Sequence, residues 1–256
     1  GGCYRIMFTS EEESHNHSLE VLNLLYQYND FMDSVSSLCD MGCGTGADLE
    51  WWATRMVEDD NENYIPLEIN CTGIDTLDHI NISEKYDNIE YVTSDFETYN
   101  TDMKYDIIWC HDSFQYALNP IQTLKNWNSM LDESGMLVLI LPQTVNIEYN
   151  RQQISLQNNQ FYHHSLVSLI HMLVINGFDC KTGFFNKQID EPWISIVVYK
   201  SDITPLNPRL ANWYELAETG LLPVSAVNGI NERGYLHQDD LILPWLDKST
   251  MGFGNI

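Results

Sequence analysis

The sequence is short of positive charge: 12 Lys and Arg stand against 37 Asp and Glu, a formal net charge of -25. Affinity for nucleic acid rests mainly on Lys and Arg at phosphates, so the balance argues against a nucleic-acid partner. Long hydrophobic runs are also missing. The longest, MLVLIL at Met136–Leu141, is far shorter than the ~20 residues a membrane helix needs, so no membrane association is expected. No charged start followed by an apolar stretch marks a secretion signal. The 6 cysteines (Cys3, Cys39, Cys43, Cys71, Cys110 and Cys180) are scattered, without the spacing of a zinc site or a disulfide framework. Cys39, Cys71 and Cys110 sit in apolar runs, where free thiols pack as small hydrophobes. A reducing cytoplasm is the expected compartment and no metal is expected. No glycine-rich loop ends in a P-loop lysine, which counts against an NTPase. The acidic surplus suits a cationic ligand, although a solubility or salt adaptation spread over the surface is the plainer reading.

What is present is an alternation of short apolar runs with amphipathic ones. VSSLCDM, NCTGID, IEYVTSD, YDIIWC and GMLVLILP read as five strands, and CKTGFF and WISIVVYK as a closing pair. Between them, ADLEWWATRMV places Leu49, Trp52, Ala53 and Met56 on one helical face, PIQTLKNWNSML opens on a proline before a DESG turn, and HHSLVSLIHMLVINGF ends at Gly177, a fitting C-cap. Strands alternating with helices predict an α/β, Rossmann-like doubly wound sheet of seven strands, mostly parallel, with an antiparallel last strand. Ahead of it, HSLEVLNLLYQYNDFM carries Val21, Leu25, Tyr28 and Met32 at helical spacing, with Ser18 as a cap. The expected division is an N-terminal helical segment over 1–35 on the lid and substrate side, a core over 36–201, and a C-terminal extension over 202–256 packed on the core. That extension is rich in Pro, Gly and Asn with weak periodicity. Its aromatics Trp213, Tyr214, Tyr235 and Trp245 suit a lid or a subunit contact, and a homodimer is one possibility.

The chemistry concentrates in SSLCDMGCGTGADLEWWA, Ser36 to Ala53. A glycine-rich turn at the carboxyl end of the first strand lets backbone approach a ligand in the crevice beyond the strand ends. Gly42, Gly44 and Ala47 satisfy G-x-G-x-x-A, the pattern that holds a dinucleotide pyrophosphate, so an NAD(P)-dependent oxidoreductase is one reading. Asp40 favours another. A carboxylate aimed into the turn repels pyrophosphate and suits a ligand bearing an ammonium and a sulfonium.

At these residues the sequence resembles the class I S-adenosylmethionine (SAM)-dependent methyltransferases, particularly the small-molecule type 11 group. DMGCGTG (Asp40–Gly46) is similar to their first motif, GID (Gly73–Asp75) to the acidic end of their second strand, and SDFE (Ser94–Glu97) to the acidic position after the third. The run from Tyr105 to Pro142 is similar to their fourth strand, turn and fifth strand, with one departure: DESGM keeps only Gly135 of two usual glycines.

The resemblance implies an enzyme that uses SAM as cofactor and moves a methyl group to a small-molecule acceptor by in-line displacement. It implies that Asp40, Met41, Gly42, Cys43, Gly44 and Gly46 surround the methionine part of SAM. Asp75 and Thr76 then meet the ribose, Asp95 and Phe96 the adenine, and Cys110 and His111 the methionine end. Where the acceptor must lose a proton, His111 is the first candidate base and Asp112 the second. Tyr116 and His163 are the candidates for acceptor binding, against a solvated or capping role for His163 and His164. Plainer readings stand beside these: Asp75 as a strand-end aspartate, Asp95 as a helix cap, Trp51 and Trp52 as core. A non-catalytic SAM-binding protein is a further alternative.

Overall fold

The computed structural model describes residues 34–58, 64–66, 68–77, 86–142, 164–187 and 193–241, together with Ser18, Val21, Leu25 and Tyr162. The strands are β1 (Ser37–Met41), β2 (Met56–Glu58), β3 (Tyr64–Pro66), β4 (Asn70–Asp75), β5 (Ile89–Thr93), β6 (Tyr105–His111), β7 (Leu131–Pro142), β8 (Phe178–Lys187) and β9 (Trp193–Lys200). The helices are α1 (Ala47–Ala53), α2 (Pro120–Met130), α3 (Leu166–Ile175), α4 (Trp213–Glu218) and α5 (Val224–Arg233). Seven strands form one sheet in the order β5-β4-β1-β6-β7-β9-β8. β5, β4, β1, β6 and β7 run parallel, while β9 runs antiparallel to both β7 and β8. The expected doubly wound sheet is therefore the architecture found.

Period-two alternation sends successive residues of the central strands to opposite faces. Ile107, Trp109, Met136, Val138 and Ile140 join Leu49 and Trp52 of α1 in one apolar layer. Ile108, Cys110, Leu137, Leu139 and Leu141 join α2 and α3 in the other. Both faces are thus covered, as a parallel sheet requires. At the start of the sheet, Asp106 Oδ2 accepts from the backbone N–H groups of Ser36 and Ser37, each at 2.9 Å. This clamp lays β1 beside β6, so that their carboxyl ends open on the same rim.

The helix ends follow local chemistry. Pro120 opens α2, and Asn119 caps it by accepting from Gln122 N–H. Ser165 and Ser168 form a capping box on α3, and Gly177 follows its end at φ +80°. Trp52 lies in the core, edge-on to Trp109 at 5.8 Å between ring centres.

Three local expectations need correction. Met56 does not continue the face of α1. The helix stops at Ala53, and Met56 opens a small β2–β3 hairpin, where it is exposed. DESG is not a plain turn either: β7 begins at Leu131, and these residues bulge out where the register jumps from Tyr105↔Leu131 to Ile107↔Met136. The stretch after Ser201 is more regular than its composition suggests. It holds α4 and α5, whose Leu216, Ala226 and Ile230 join the same apolar layer as α3. Trp213 meets His171 edge-on at 4.8 Å, Tyr214 and Tyr235 are exposed, and Trp245 lies outside the described residues. Of the helix expected near the N-terminus, Ser18, Val21 and Leu25 are described, all helical and buried; Tyr28 and Met32 lie outside the described residues.

Candidate active site at the carboxyl rim of the sheet

The site starts where β1 ends. From Met41 the chain turns through Gly42–Gly46 into α1, and the N–H groups of Gly42 and Cys43 both donate to Ile74 C=O of β4, at 2.7 and 3.1 Å. The loop is thereby hung on the neighbouring strand. Gly42 sits at φ +82°, and a Cβ there would lie 2.3 Å from Ser113 Oγ. Gly46 has the same φ of +82°, and a Cβ there would lie 2.1 Å from the Tyr91 hydroxyl. Backbone conformation favours glycine at both positions, and at Gly42 packing against Ser113 requires it as well. Gly44 differs: a Cβ there would meet nothing within 4 Å, because this residue faces open space.

Two carboxylates stand at the adjoining strand ends. Asp75, the last residue of β4, accepts Gly44 N–H at Oδ2 (2.9 Å) and Leu77 N–H at Oδ1 (3.0 Å). Each oxygen retains a second acceptor site. Asp95, after β5, accepts Glu97 N–H at Oδ1 (2.8 Å), while its C=O accepts from Thr98 and Tyr99. Phe96 packs at a tilt on Trp127, whose indole N–H donates to Phe96 C=O at 3.1 Å. Gly42, Asp75, Thr76, Asp95 and Phe96 line a cavity of about 450 Å³, whose other wall is Glu97, Ser113, Tyr116 and Leu118. Glu97 pins that wall by accepting from Leu118 N–H (2.7 Å) and Asn119 N–H (2.9 Å). Ser113 ties it to the glycine loop by donating to Gly42 C=O at 3.0 Å.

The structure does not bring every expected residue to this cavity. Asp40, Met41, Cys43 and Cys110 are buried within the sheet and loop, and none lines it; Gly44, Gly46, His111 and Asp112 stand beside the cavity without lining it. Burial, reinforced by the charges of Asp48 and Asp75, pushes the Asp40 carboxyl well above its usual range. Cys110 is a β6 core residue whose thiol burial holds protonated, with Asp40 adding to the effect. Buried in β6, it does not face the cavity. Cys43 is raised in the same way, by burial first and then by Asp40 and Asp75.

His111 closes β6, and its ring stands at 10% side-chain exposure with Nδ1 3.0 Å from Asp48 Oδ2. Asp48, in the first turn of α1, also accepts Trp109 Nε1–H at Oδ2 (2.9 Å) and the Ser18 hydroxyl at Oδ1 (2.7 Å). Asp112 follows with a left-handed backbone at φ +51°, a conformation that costs a non-glycine residue about 1–2 kcal/mol. It is held there by its N–H to Ile140 C=O at 2.8 Å. Its carboxyl is raised by burial, against the opposing pull of His111 and of Gln115, whose Nε2 donates to Asp112 Oδ1 at 2.6 Å. His164, expected to be solvated or capping, is instead buried and stacked on Phe114 at 5.2 Å. His163 lies outside the described residues.

The sequence reading passed over Asp48, Glu97, Ser113 and Gln115. Ser113 and Gln115 carried a usable signal, since they lie in the loop directly after a strand that ends at the rim. Asp48 carried none, because its partners stand 30, 61 and 63 residues away.

Comparison with known proteins places the fold. Residues 33–200 match a family described as a methyltransferase domain. No curated protein matches the chain at a significant level. Among solved structures, the fold is similar to that of an O-methyltransferase family protein from Burkholderia thailandensis (9% identity, TM-score 0.55), covering 74% of this chain and 58% of that one. It is similar to the N-methyltransferase NodS from Bradyrhizobium japonicum WM9 in complex with S-adenosylhomocysteine (17% identity, TM-score 0.52), covering 77% of this chain and 91% of that one. It is similar as well to the plantazolicin methyltransferase BpumL in complex with the same compound (15% identity, TM-score 0.51), covering 75% and 88%. With the glycine loop, the acidic strand ends and a family match across the whole sheet, the chain belongs to the methyltransferase-domain family and is an S-adenosylmethionine-dependent methyltransferase.

Proposed function

We propose that this methyltransferase acts on a small-molecule acceptor, with SAM held between the glycine loop and the ends of β4 and β5 and with His111 as the general base. The observation that carries the reading is the cavity of about 450 Å³: among the described residues, every charged side chain that lines it, Asp75, Asp95 and Glu97, is acidic. A ligand phosphate about 4 Å from one such carboxylate is opposed by about 4 kcal/mol at an effective dielectric of about 20, whereas a cationic ligand gains by the same amount. The lining therefore fits SAM, which carries an ammonium and a sulfonium, and opposes the pyrophosphate of NAD(P). Gly44, with open space where a side chain would stand, allows the backbone to meet a ligand directly. The acceptor atom stays open among O, N, S and C.

Asp75 accepts the ribose hydroxyls with the acceptor sites left over from its bonds to Gly44 and Leu77. Asp95 and the backbone beside Phe96 read the adenine. Bound SAM supplies a methyl group already activated for displacement. The protein's task is then alignment, which is worth up to ~7–11 kcal/mol in well-oriented systems. Ser113, Tyr116 and Leu118 form the wall opposite the cofactor residues and shape the acceptor's approach. His111 takes the acceptor's proton at Nε2, the ring nitrogen turned away from Asp48. The formal charge of -25 supports a small acceptor over a nucleic acid.

The test is His111→Ala with labelled SAM and an extract of small metabolites, the labelled product being identified by mass spectrometry. Turnover is expected to fall ~10²–10⁴-fold, the usual contribution of a general base, while SAM affinity holds. Unchanged turnover would remove His111 from the role. Label carried only into RNA or protein would overturn the small-molecule acceptor.

A further inference from the structure

We infer that Asp48 is a positioning residue for His111: anchored by Ser18 and Trp109, it sets which ring nitrogen carries the proton and so leaves Nε2 as the basic one. The inference rests on the reading of His111 as base and extends it to a residue outside the cavity.

The chemistry of the partners fixes the argument. An indole N–H is a donor only, and an ionised carboxylate is an acceptor only. Trp109 Nε1–H points at Asp48 Oδ2 at 2.9 Å, and His111 Nδ1 faces the same oxygen at 3.0 Å. With Asp48 ionised, both ring groups that meet this oxygen donate to it. Nδ1 therefore carries hydrogen, and a neutral imidazole then has its lone pair on Nε2. The second oxygen, Oδ1, is occupied by the Ser18 hydroxyl at 2.7 Å. Both carboxylate oxygens are thus tied to separate parts of the chain, so the carboxylate cannot rotate away from the ring without breaking a hydrogen bond. Burial strengthens the arrangement. Ser18 is fully buried and Asp48 is 8% exposed, and hydrogen bonds to charged groups gain in a low dielectric.

The position of Asp48 adds a link to the cofactor loop. It sits two residues past Gly46, in the first turn of α1, where the N–H of Glu50 donates to Gly46 C=O at 2.9 Å. The glycine turn and the carboxylate that orients the base are therefore joined by the first turn of α1. Orientation of a base by a carboxylate is a separate contribution from the base itself, and its removal strands the proton on the wrong nitrogen.

The experiment is ¹⁵N–¹H correlation spectroscopy of the His-labelled full chain loaded with S-adenosylhomocysteine, the His111 signals being assigned by their loss in His111→Gln. The wild type is expected to show the proton on Nδ1. In Asp48→Asn the proton is expected to move to Nε2 in part or in full, with turnover down ~10²-fold or more and SAM affinity unchanged. A wild-type ring protonated on Nε2 overturns the inference without any variant being needed, and so does an Asp48→Asn spectrum identical to wild type. These readouts do not depend on turnover. If the tautomer responds to Asp48 while His111→Ala still turns over normally, the base reading fails and the positioning contact stands.

Discussion

Toward β4 and β5, the glycine loop is flanked by Asp75, Asp95 and Glu97, which line the open cavity. Toward β1 and β6, it is flanked by Asp40, Asp48 and Asp112, which lie under or behind the rim. The first set spends part of its acceptor capacity on backbone N–H groups, both of its own turns and of the loops opposite, and the remainder is available to a ligand. In the second set, Asp48 is taken up by Ser18, Trp109 and His111, and Asp112 by Gln115. Asp40 is simply buried beneath the loop, with its carboxyl pushed up. On the proposed reading the acidic residues around one loop serve two purposes: those at the cavity meet the cofactor, and those in the seam hold the loop and β6 in place.

The comparison can be broken in several places. Gly42→Ala should have the largest effect, because it attacks both sides at once. The left-handed backbone alone costs about 1–2 kcal/mol, and the new Cβ would collide with Ser113, which closes the seam. Thermal denaturation should show a clear loss of stability, and methyl transfer should fall ~10²-fold, as small displacements at a reacting centre do.

Asp40→Asn should act next, and in the opposite direction. The folded protein binds the Asp40 proton more tightly than the unfolded chain, whose carboxyl has the ordinary value of 3.8. Stability from this group is therefore complete below that value and is lost as pH rises through the raised folded one. The Asp112 carboxyl, raised in the same direction, adds to the loss. The variant should melt higher than wild type in neutral and alkaline buffer, and the two curves should converge in acid. A wild type that grows more stable across the same rise in pH would contradict the buried charge.

Glu97→Gln should be smaller. It weakens the charge-assisted hydrogen bonds from Leu118 and Asn119, costing about 1–2 kcal/mol, and it should raise KM for the acceptor more than for SAM. Ser113→Ala should be the mildest, at about 1 kcal/mol for one hydrogen bond to Gly42 C=O; a melting curve detects it.

What the sequence made legible follows from how local each signal is. The strands announced themselves as apolar runs, and the glycine loop with Asp75 and Asp95 as short motifs at strand ends. The placement of Asp40 behind the cavity was not legible, because a motif gives the order of residues and not the direction of a side chain. The Asp48 network was hidden by sequence separation, since four residues from three parts of the chain meet only after the sheet has formed. The β2–β3 hairpin and helices α4 and α5 were missed for a different reason. These elements are short, and the apolar positions of α4 and α5, Leu216, Ala226 and Ile230, gain a face only by packing in the α3 layer.

The most direct test of the account is a calorimetric titration of SAM into wild type and Asp75→Asn. Asp75 joins the loop to the cavity, and two charge-assisted hydrogen bonds lost at about 1.5 kcal/mol each amount to ~10²-fold in Kd. The account predicts that loss, with the free variant destabilised by no more than about 1–2 kcal/mol, which its weakened bonds from Gly44 and Leu77 N–H account for. Equal affinity in the two proteins would contradict the claim that the carboxylates at the cavity recognise the cofactor.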